Sequence, residues 1–219
     1  MPSIFKQAPD IQPRLAEDVY DQILSAIIDG QFAPGERLIQ EKIATQINIS
    51  RTPVREALLR LEQEGILELS GRKGFVIRQL SDNEVTELYG VREAIEGYAA
   101  FIVAGHRNPE KLAAIQAAVE AEYELSDRNL ESEFRCNRHI HRTIVEQADN
   151  PVLLDFFDSI WGRSVSLWLF AATRTNPSQT DPDVHRQLLK VLQTGSPEEA
   201  RTAMAGHVRD GLSQHHKNT

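Results

Sequence analysis

The sequence predicts a mostly helical protein in two parts: a small N-terminal unit of three helices and a β-hairpin, then a larger all-α bundle of antiparallel helices. Three observations predict it. Apolar residues recur at helical spacing through most of the chain. The two short apolar runs that read as strands both fall before residue 80. From Ser81 onward, helix-start signals and turn residues punctuate the chain with no strand pattern between them. The chain has 219 residues, 41% hydrophobic and 26% charged, which is room for one large core or two small ones.

In chain order, Pro13 opens a helix carrying Leu15, Val19, Ile23 and Ile27 at helical spacing, and Gly30 closes it. Pro34-Gly35 is a turn. A short helix over about 40–47 places Ile43 and Ile47 one turn apart, and Asn48-Ile49-Ser50 breaks it. A third helix runs from about Ser50 to Gln63, with Ser50 or Thr52 as its cap and Gly65 ending it. Pro53 sits in its first turn, where a missing N–H costs nothing. Ile66-Leu67-Glu68-Leu69 and Phe75-Val76-Ile77-Arg78 then read as two strands joined by Ser70-Gly71-Arg72-Lys73-Gly74. These elements set a first domain over 11–78.

A second domain, 82–214, starts at Ser81-Asp82-Asn83-Glu84, a capping box in which Ser81 and Glu84 satisfy each other's backbone donors. Its helix carries Leu88, Val91, Ile95, Tyr98 and Ile102 and is expected to stop at Gly105. Further helices are expected at about 109–126, 130–148, 151–173, 183–194 and 197–214, with a polar loop from Arg174 to Pro182. Ser196-Pro197-Glu198-Glu199 gives the last one a capping box and a proline at its first position. The junction from Arg78 to Ser81 is too short for a free linker.

Composition narrows the function classes. Lys plus Arg number 24 against 32 Asp plus Glu, a net charge of −8, which excludes a histone-like polycation. Residues 11–80 hold nine basic and ten acidic side chains, so a nucleic-acid reading rests on where the basic groups sit. The single cysteine, Cys136, forms no internal disulfide and has no nucleophile context, as a reducing compartment fits. Met1 to Gln7 lacks the apolar stretch of a signal peptide, and the longest apolar run, Gly97 to Gly105, is far short of the ~20 residues a bilayer needs. A cytoplasmic protein with no membrane partner is expected. No Walker loop, dinucleotide fingerprint or Gly-x-Ser-x-Gly elbow occurs.

Helix, turn, helix and a two-stranded wing form an architecture that reads duplex DNA. On the third helix Val54, Ala57, Leu58 and Leu61 face inward, while Arg51, Thr52 and Arg55 share the outer side of its first turns. Arginines there can fork onto guanine edges or phosphates. The hairpin tip adds Arg72 and Lys73 between Gly71 and Gly74. The runs Pro34-Gly35-Glu36-Arg37-Leu38, Glu41-Lys42-Ile43-Ala44, Ser50-Arg51-Thr52-Pro53-Val54-Arg55-Glu56-Ala57-Leu58 and Leu61-Glu62-Gln63-Glu64-Gly65-Ile66-Leu67 closely resemble the winged-helix domain of GntR-family transcription regulators. The resemblance implies DNA contacts at Lys42, Ser50, Arg51, Thr52, Arg55, Arg72, Lys73 and Gly74. It also implies a homodimer on two-fold-related half-sites of a double-stranded operator.

In the second domain Asn137 and His141 are four apart on one helix face, His185 opens the helix from about 183, and His207 lies on the last helix. Nitrogen and oxygen donors converging from separate helices suit a divalent ion of the zinc, nickel or manganese kind. Single helical histidines are more often hydrogen-bonded core or surface residues. Asn137-x3-His141, then Asn150-Pro151-Val152-Leu153, then His185 and Ala203-Met204-x2-His207 resemble the FCD effector module. That resemblance implies a metal held by Asn137, His141, His185 and His207, with a small organic acid effector docked beside it. Asparagine stands where that module most often has aspartate, and its amide oxygen brings no charge. His139 points to another face, and His106, His215 and His216 read as surface or tail residues.

Arg92 lies on the apolar stripe one turn from Leu88 and Ile95, so it needs an anion. Glu96 four residues on, an acid from a neighbouring helix, or an effector carboxylate held bidentately would each supply one. Arg92 is therefore the candidate effector-binding residue. Trp161, Ser164 and Trp168 recur near helical spacing and read as core or cavity lining.

The expected function is a ligand-responsive transcription regulator. Two other classes compete with it. One is a metal-dependent enzyme built on His141, His185 and His207, with Glu146 or Asp149 as its base. The other is a scaffold whose bundle only dimerises and in which any metal is structural, as a closed four-ligand site with no open position would support.

Overall fold

The structure, a computed structural model, describes residues 11–33, 35–71, 74–126, 129–172 and 183–217, with side chains described except at 11–14, 130–131, 162–172 and 214–217. It divides into two compact units, Met1–Arg78 and Gln79–Thr219.

The first unit runs α1 (Ile11–Ile28), β1 (Arg37–Leu38), α2 (Gln40–Gln46), α3 (Arg51–Gln63), β2 (Leu67–Leu69) and β3 (Phe75–Ile77). The apolar stripes of α1 and α3 meet, burying Val19, Ile23 and Ile27 with Val54, Leu58 and Leu61. Ile43 and Ala44 of α2 close the same core. The expected two-stranded hairpin is a three-stranded antiparallel sheet in the order β1-β3-β2. Leu69 pairs with Phe75 on one side of β3 and Leu38 with Phe75 on the other. At two residues, β1 is too short to show the alternation by which strands are read.

Ser50 occupies the N-cap position of α3, but its side chain makes no capping bond. A cap oxygen accepts from the second or third helical N–H; the third residue here is Pro53, which has none, so only the Thr52 N–H is left to it.

The second unit is α4 (Asp82–His106), α5 (Pro109–Tyr123), α6 (Leu130–Glu146), α7 (Pro151–Ala172), α8 (Asp183–Thr194) and α9 (Pro197–Lys217). The capping box at Ser81 and Glu84 forms, with the Ser81 N–H donating to Glu84 Oε2 at 2.9 Å. Its counterpart at the start of α9 forms too, the Ser196 N–H reaching Glu199 Oε2 at 2.7 Å. α4 runs past Gly105 to His106, and Arg107 takes the left-handed conformation at its end (φ 47, ψ 38). The Arg107 guanidinium donates to the carbonyls of Thr194 (3.4 Å) and Gly195 (2.8 Å), which offsets the strain of a non-glycine residue there.

α4 is central: it packs most extensively along α9 and also against α6, α7 and α8, while α5 packs on α6 and α8. Small residues of α4, Ala99, Ala100 and Ala104, are buried with Ala200, Met204 and Val208 of α9. The polar loop expected over Arg174–Pro182 lies outside the described residues, as do Arg72 and Lys73, Pro34, and the side chains of Ser164, Trp168, His215 and His216. Among the described residues, no helix is long and apolar enough to cross a membrane.

Candidate metal centre and nucleic-acid interface

On α3 the inward set is buried, while Arg51, Thr52 and Arg55 are exposed together, as are Ser50 just before the helix and Lys42 on α2. Arg51 is not isolated. Its guanidinium pairs with Glu41 of α2, and its carbonyl accepts from Gln40 Nε2 at 2.8 Å. α2 is thereby tied to the first turn of α3. Both partners of the Arg51–Glu41 pair are about two-thirds exposed (66% and 64%), so the pair contributes little stability and leaves the guanidinium reachable. Gly74, at the base of the wing, has φ 129 and lies against the backbone of Leu38.

The second unit gathers His141 from α6, His185 from α8 and His207 from α9, with their ligand nitrogens within 4.8 Å of one another. His141 and His185 are buried. Ring centroids are 4.9 Å apart for His141–His207 and His185–His207, and 5.6 Å for His141–His185. Asn137 lies one turn before His141 on α6 and is half-buried. His139 and His106 are exposed and take no part in the cluster.

Two buried carboxylates fix the rings. Glu96 Oε2 faces His141 Nδ1 at 2.5 Å, and Glu122 Oε2 faces His185 Nδ1 at 2.8 Å. An ionised carboxylate only accepts, so each Nδ1 carries the proton and each Nε2 keeps its lone pair. His141 Nε2 lies 3.0 Å from His207 Nε2. His185 Nε2 is buried with no hydrogen-bond partner among the described residues. An orphaned buried polar atom costs about 1–3 kcal/mol.

Burial pushes His141 below the usual imidazole range, with Glu96 opposing it in part. Burial, joined by the neighbouring His141 and His185, takes His207 down to about 2. Both rings are therefore neutral at pH 7, the form that ligates a metal. Burial by itself would raise the Glu96 carboxyl, but Arg92, with the His141 contact, brings it down to about 2. The Arg92 guanidinium is the foremost of the groups that keep Glu96 ionised, ahead of His141.

Arg92 is buried, as its place on the apolar stripe requires, and the anion it meets is Glu96: Nε donates to Glu96 Oε1 at 2.8 Å. Trp161 Nε1 donates to the same oxygen at 3.3 Å. Trp161 thus belongs to the polar network as well as to the core. Glu146 and Asp149, the bases that an enzyme would draw on, are exposed and engaged elsewhere, with Arg142 and Lys111.

The cluster fits a divalent ion. Zinc–nitrogen bonds are about 2.0–2.1 Å, so nitrogens sharing one ion lie at most about 4.2 Å apart, and the set here, within 4.8 Å, is close to that limit. An ion would also satisfy His185 Nε2. Glu122 was not among the residues the sequence singled out. A signal existed: on α5 it follows Ile115, Ala118 and Val119 at helical spacing, which puts a carboxylate on the buried stripe.

Comparison with known proteins bears on both units. The family of bacterial regulatory proteins, gntR family, matches residues 15–77, and the FCD domain matches residues 87–210. The probable D-xylose utilization operon transcriptional repressor of Paenarthrobacter nicotinovorans is 31% identical over 196 residues, spanning 89% of this chain and 85% of its own. The structure of E. coli McbR/YncC superposes with a TM-score of 0.77 at 24% identity, over 93% of this chain and 97% of that one. A GntR transcriptional regulator from Rhodococcus sp. RHA1 gives a TM-score of 0.71 at 19% identity, over 92% and 97%. At those identities the two structures show a shared fold.

Proposed function

The chain belongs to the GntR family of DNA-binding transcription regulators and carries an FCD domain, and from that premise we propose a homodimeric regulator whose operator affinity is set by a small organic acid bound at a divalent ion in the second unit. The carrying observation is the buried His141, His185 and His207 cluster, with two rings oriented by carboxylates and one orphaned Nε2.

In this reading His141, His185 and His207 hold the ion through nitrogen, and Asn137 adds its amide oxygen from the same face of α6. A bound divalent ion supplies positive charge and open positions on which a carboxylate can dock. The buried surroundings exclude water and so strengthen that attraction. Specificity for an operator comes from Arg51, Thr52 and Arg55 on α3, with Ser50, Lys42 and the wing residues Arg72, Lys73 and Gly74 fixing the fit to the backbone. One such unit is too small to specify an operator, and a two-fold pair reading two half-sites is the economical solution. The acid changes operator affinity only by its differential affinity for two states of the dimer.

The test measures metal content of the purified full-length protein beside His185→Ala, with a thermal-shift screen of small carboxylic acids and an operator-binding titration at fixed salt. About one equivalent of metal per chain, lost in His185→Ala together with one acid's stabilisation and its effect on DNA affinity, is the expected result. An acid that shifts stability and DNA affinity equally in both proteins would refute the ion's part. An acid that stabilises the wild type without changing DNA affinity would refute the coupling.

A further inference from the structure

The histidine cluster is the inner part of a larger polar group sunk into an apolar bundle. Of the buried polar or charged residues, Arg92, Glu96, Glu122, His141 and His185 all belong to it. Buried carboxylates and a buried guanidinium are costly unless each finds its partner. Here the partners run in order. Arg92 Nε and Trp161 Nε1 both donate to Glu96 Oε1, leaving Oε2 for His141 Nδ1. Glu122 Oε2 accepts from His185 Nδ1.

Resting on the ion site proposed above, we infer that Glu96 and Glu122 are the positioning residues of that site, and that Arg92 serves Glu96 rather than an incoming acid. Each carboxylate does two things to its ring. It selects the Nδ1–H tautomer, which leaves Nε2 as the donor atom, and it lends negative charge that makes Nε2 a better donor. Arg92 is fixed for its own task. It is only 7% exposed, and its guanidinium stacks 4.3 Å from the Trp161 ring centre and 5.1 Å from that of Tyr89. A guanidinium lying over two aromatic faces, with its Nε spent on Glu96, has an internal counter-ion and no need of an external one. Arg92 and Glu96 come from α4, and Trp161 from α7. The geometry of His141 on α6 is therefore set by two helices that carry no ligand of their own. α5 does the same for His185 on α8.

The test is the zinc affinity of the full-length protein, measured with zinc alone in competition with a chromophoric chelator. Wild type is compared with Glu96→Gln, Glu122→Gln, Arg92→Lys and His185→Ala. Glu96→Gln and Glu122→Gln are expected to keep about one equivalent of zinc and to bind it roughly 10–100-fold more weakly. Arg92→Lys keeps the charge but loses the fixed fork, so weakening in the same direction is expected, with any acid-dependent thermal shift of the zinc-loaded protein retained. If Glu96→Gln and Glu122→Gln match the wild type within about twofold while His185→Ala fails to bind, positioning is overturned and the ion site stands. If Arg92→Lys binds zinc as the wild type does and loses its response to acids, Arg92 is an effector anchor and the inference is wrong. A wild type that takes up no zinc overturns the ion site itself, and this inference with it. Should the variants fail to fold, imidazole 15N shifts of the metal-free wild type decide the matter. Nδ1–H on both His141 and His185 supports it, and Nε2–H on either refutes it.

Discussion

Gly74→Ala probes the wing through its backbone rather than its charge. Gly74 has φ 129, a region that residues with a side chain rarely adopt, and a Cβ built there would lie 3.0 Å from the Leu38 carbonyl oxygen. That oxygen is main chain, in a strand of two residues paired with β3, so it has little freedom to give way. Gly71, at the other side of the tip, has φ 59, and a Cβ added to it would meet nothing within 4 Å, so Gly71→Ala carries the conformational cost alone. That cost is about 1–2 kcal/mol. Gly74→Ala adds the displacement of β1 to a backbone strain of about 1–3 kcal/mol, and we expect about 2–4 kcal/mol in total. The assay is urea unfolding followed by far-UV circular dichroism and by tryptophan fluorescence. Both tryptophans, Trp161 and Trp168, lie beyond residue 78, so fluorescence reports the second unit. The dichroism transition of the first unit should move and the fluorescence midpoint should not. If Gly74→Ala costs no more than Gly71→Ala, the close approach to Leu38 constrains nothing and the reasoning fails.

Other expectations are simpler. Arg55→Ala should cost at least ~1 kcal/mol of operator binding if Arg55 reads a base edge, whereas an equal loss on every duplex, with the salt slope reduced by about 1, would make it a phosphate contact. Leu58→Ala empties a fully buried position of α3 and should destabilise the first unit by about 2–5 kcal/mol in denaturant unfolding. Ser81→Ala removes the oxygen that accepts from the Glu84 N–H at 3.3 Å and should lower the stability of the second unit by about 1 kcal/mol.

What the sequence made legible follows how local each cause is. The capping boxes at Ser81 and Ser196 involve residues three apart, so the pattern is the mechanism, and both form. The helical stripes locate the six helices of the second unit to within a few residues for the same reason. β1 escaped because a two-residue strand exists only through its partner β3. Ser50 or Thr52 suits a cap by type, and Ser50 stands at that position, but the neighbouring Pro53 removes one of the two donors such a cap can use. α4 outran Gly105 because its end is held by Arg107 reaching the carbonyls of Thr194, the last residue of α8, and of Gly195 just after it, contacts 87 and 88 residues away in sequence. The candidate site divides in the same way. The histidines fit a spaced pattern, whereas Glu122 becomes part of the site only because α5 packs beside α8. For Arg92 the sequence offered three anions, and the nearest in sequence is the one it meets.

The histidine cluster also has a consequence for chain topology. His141, His185 and His207 are separated by 44 and 22 residues, so one ion ligated by all three would close two successive loops of the chain. Covalent cross-links over loops of that size remove about 3–4 kcal/mol each of unfolded-chain entropy, which is an upper bound for a reversible coordinate bond. The first loop contains residues 173–182 and the whole of α7, and the second spans the junction of α8 with α9. Such an ion would act as a removable staple, and the resistance of these helices to local opening would rise and fall with free metal while the first unit stayed indifferent.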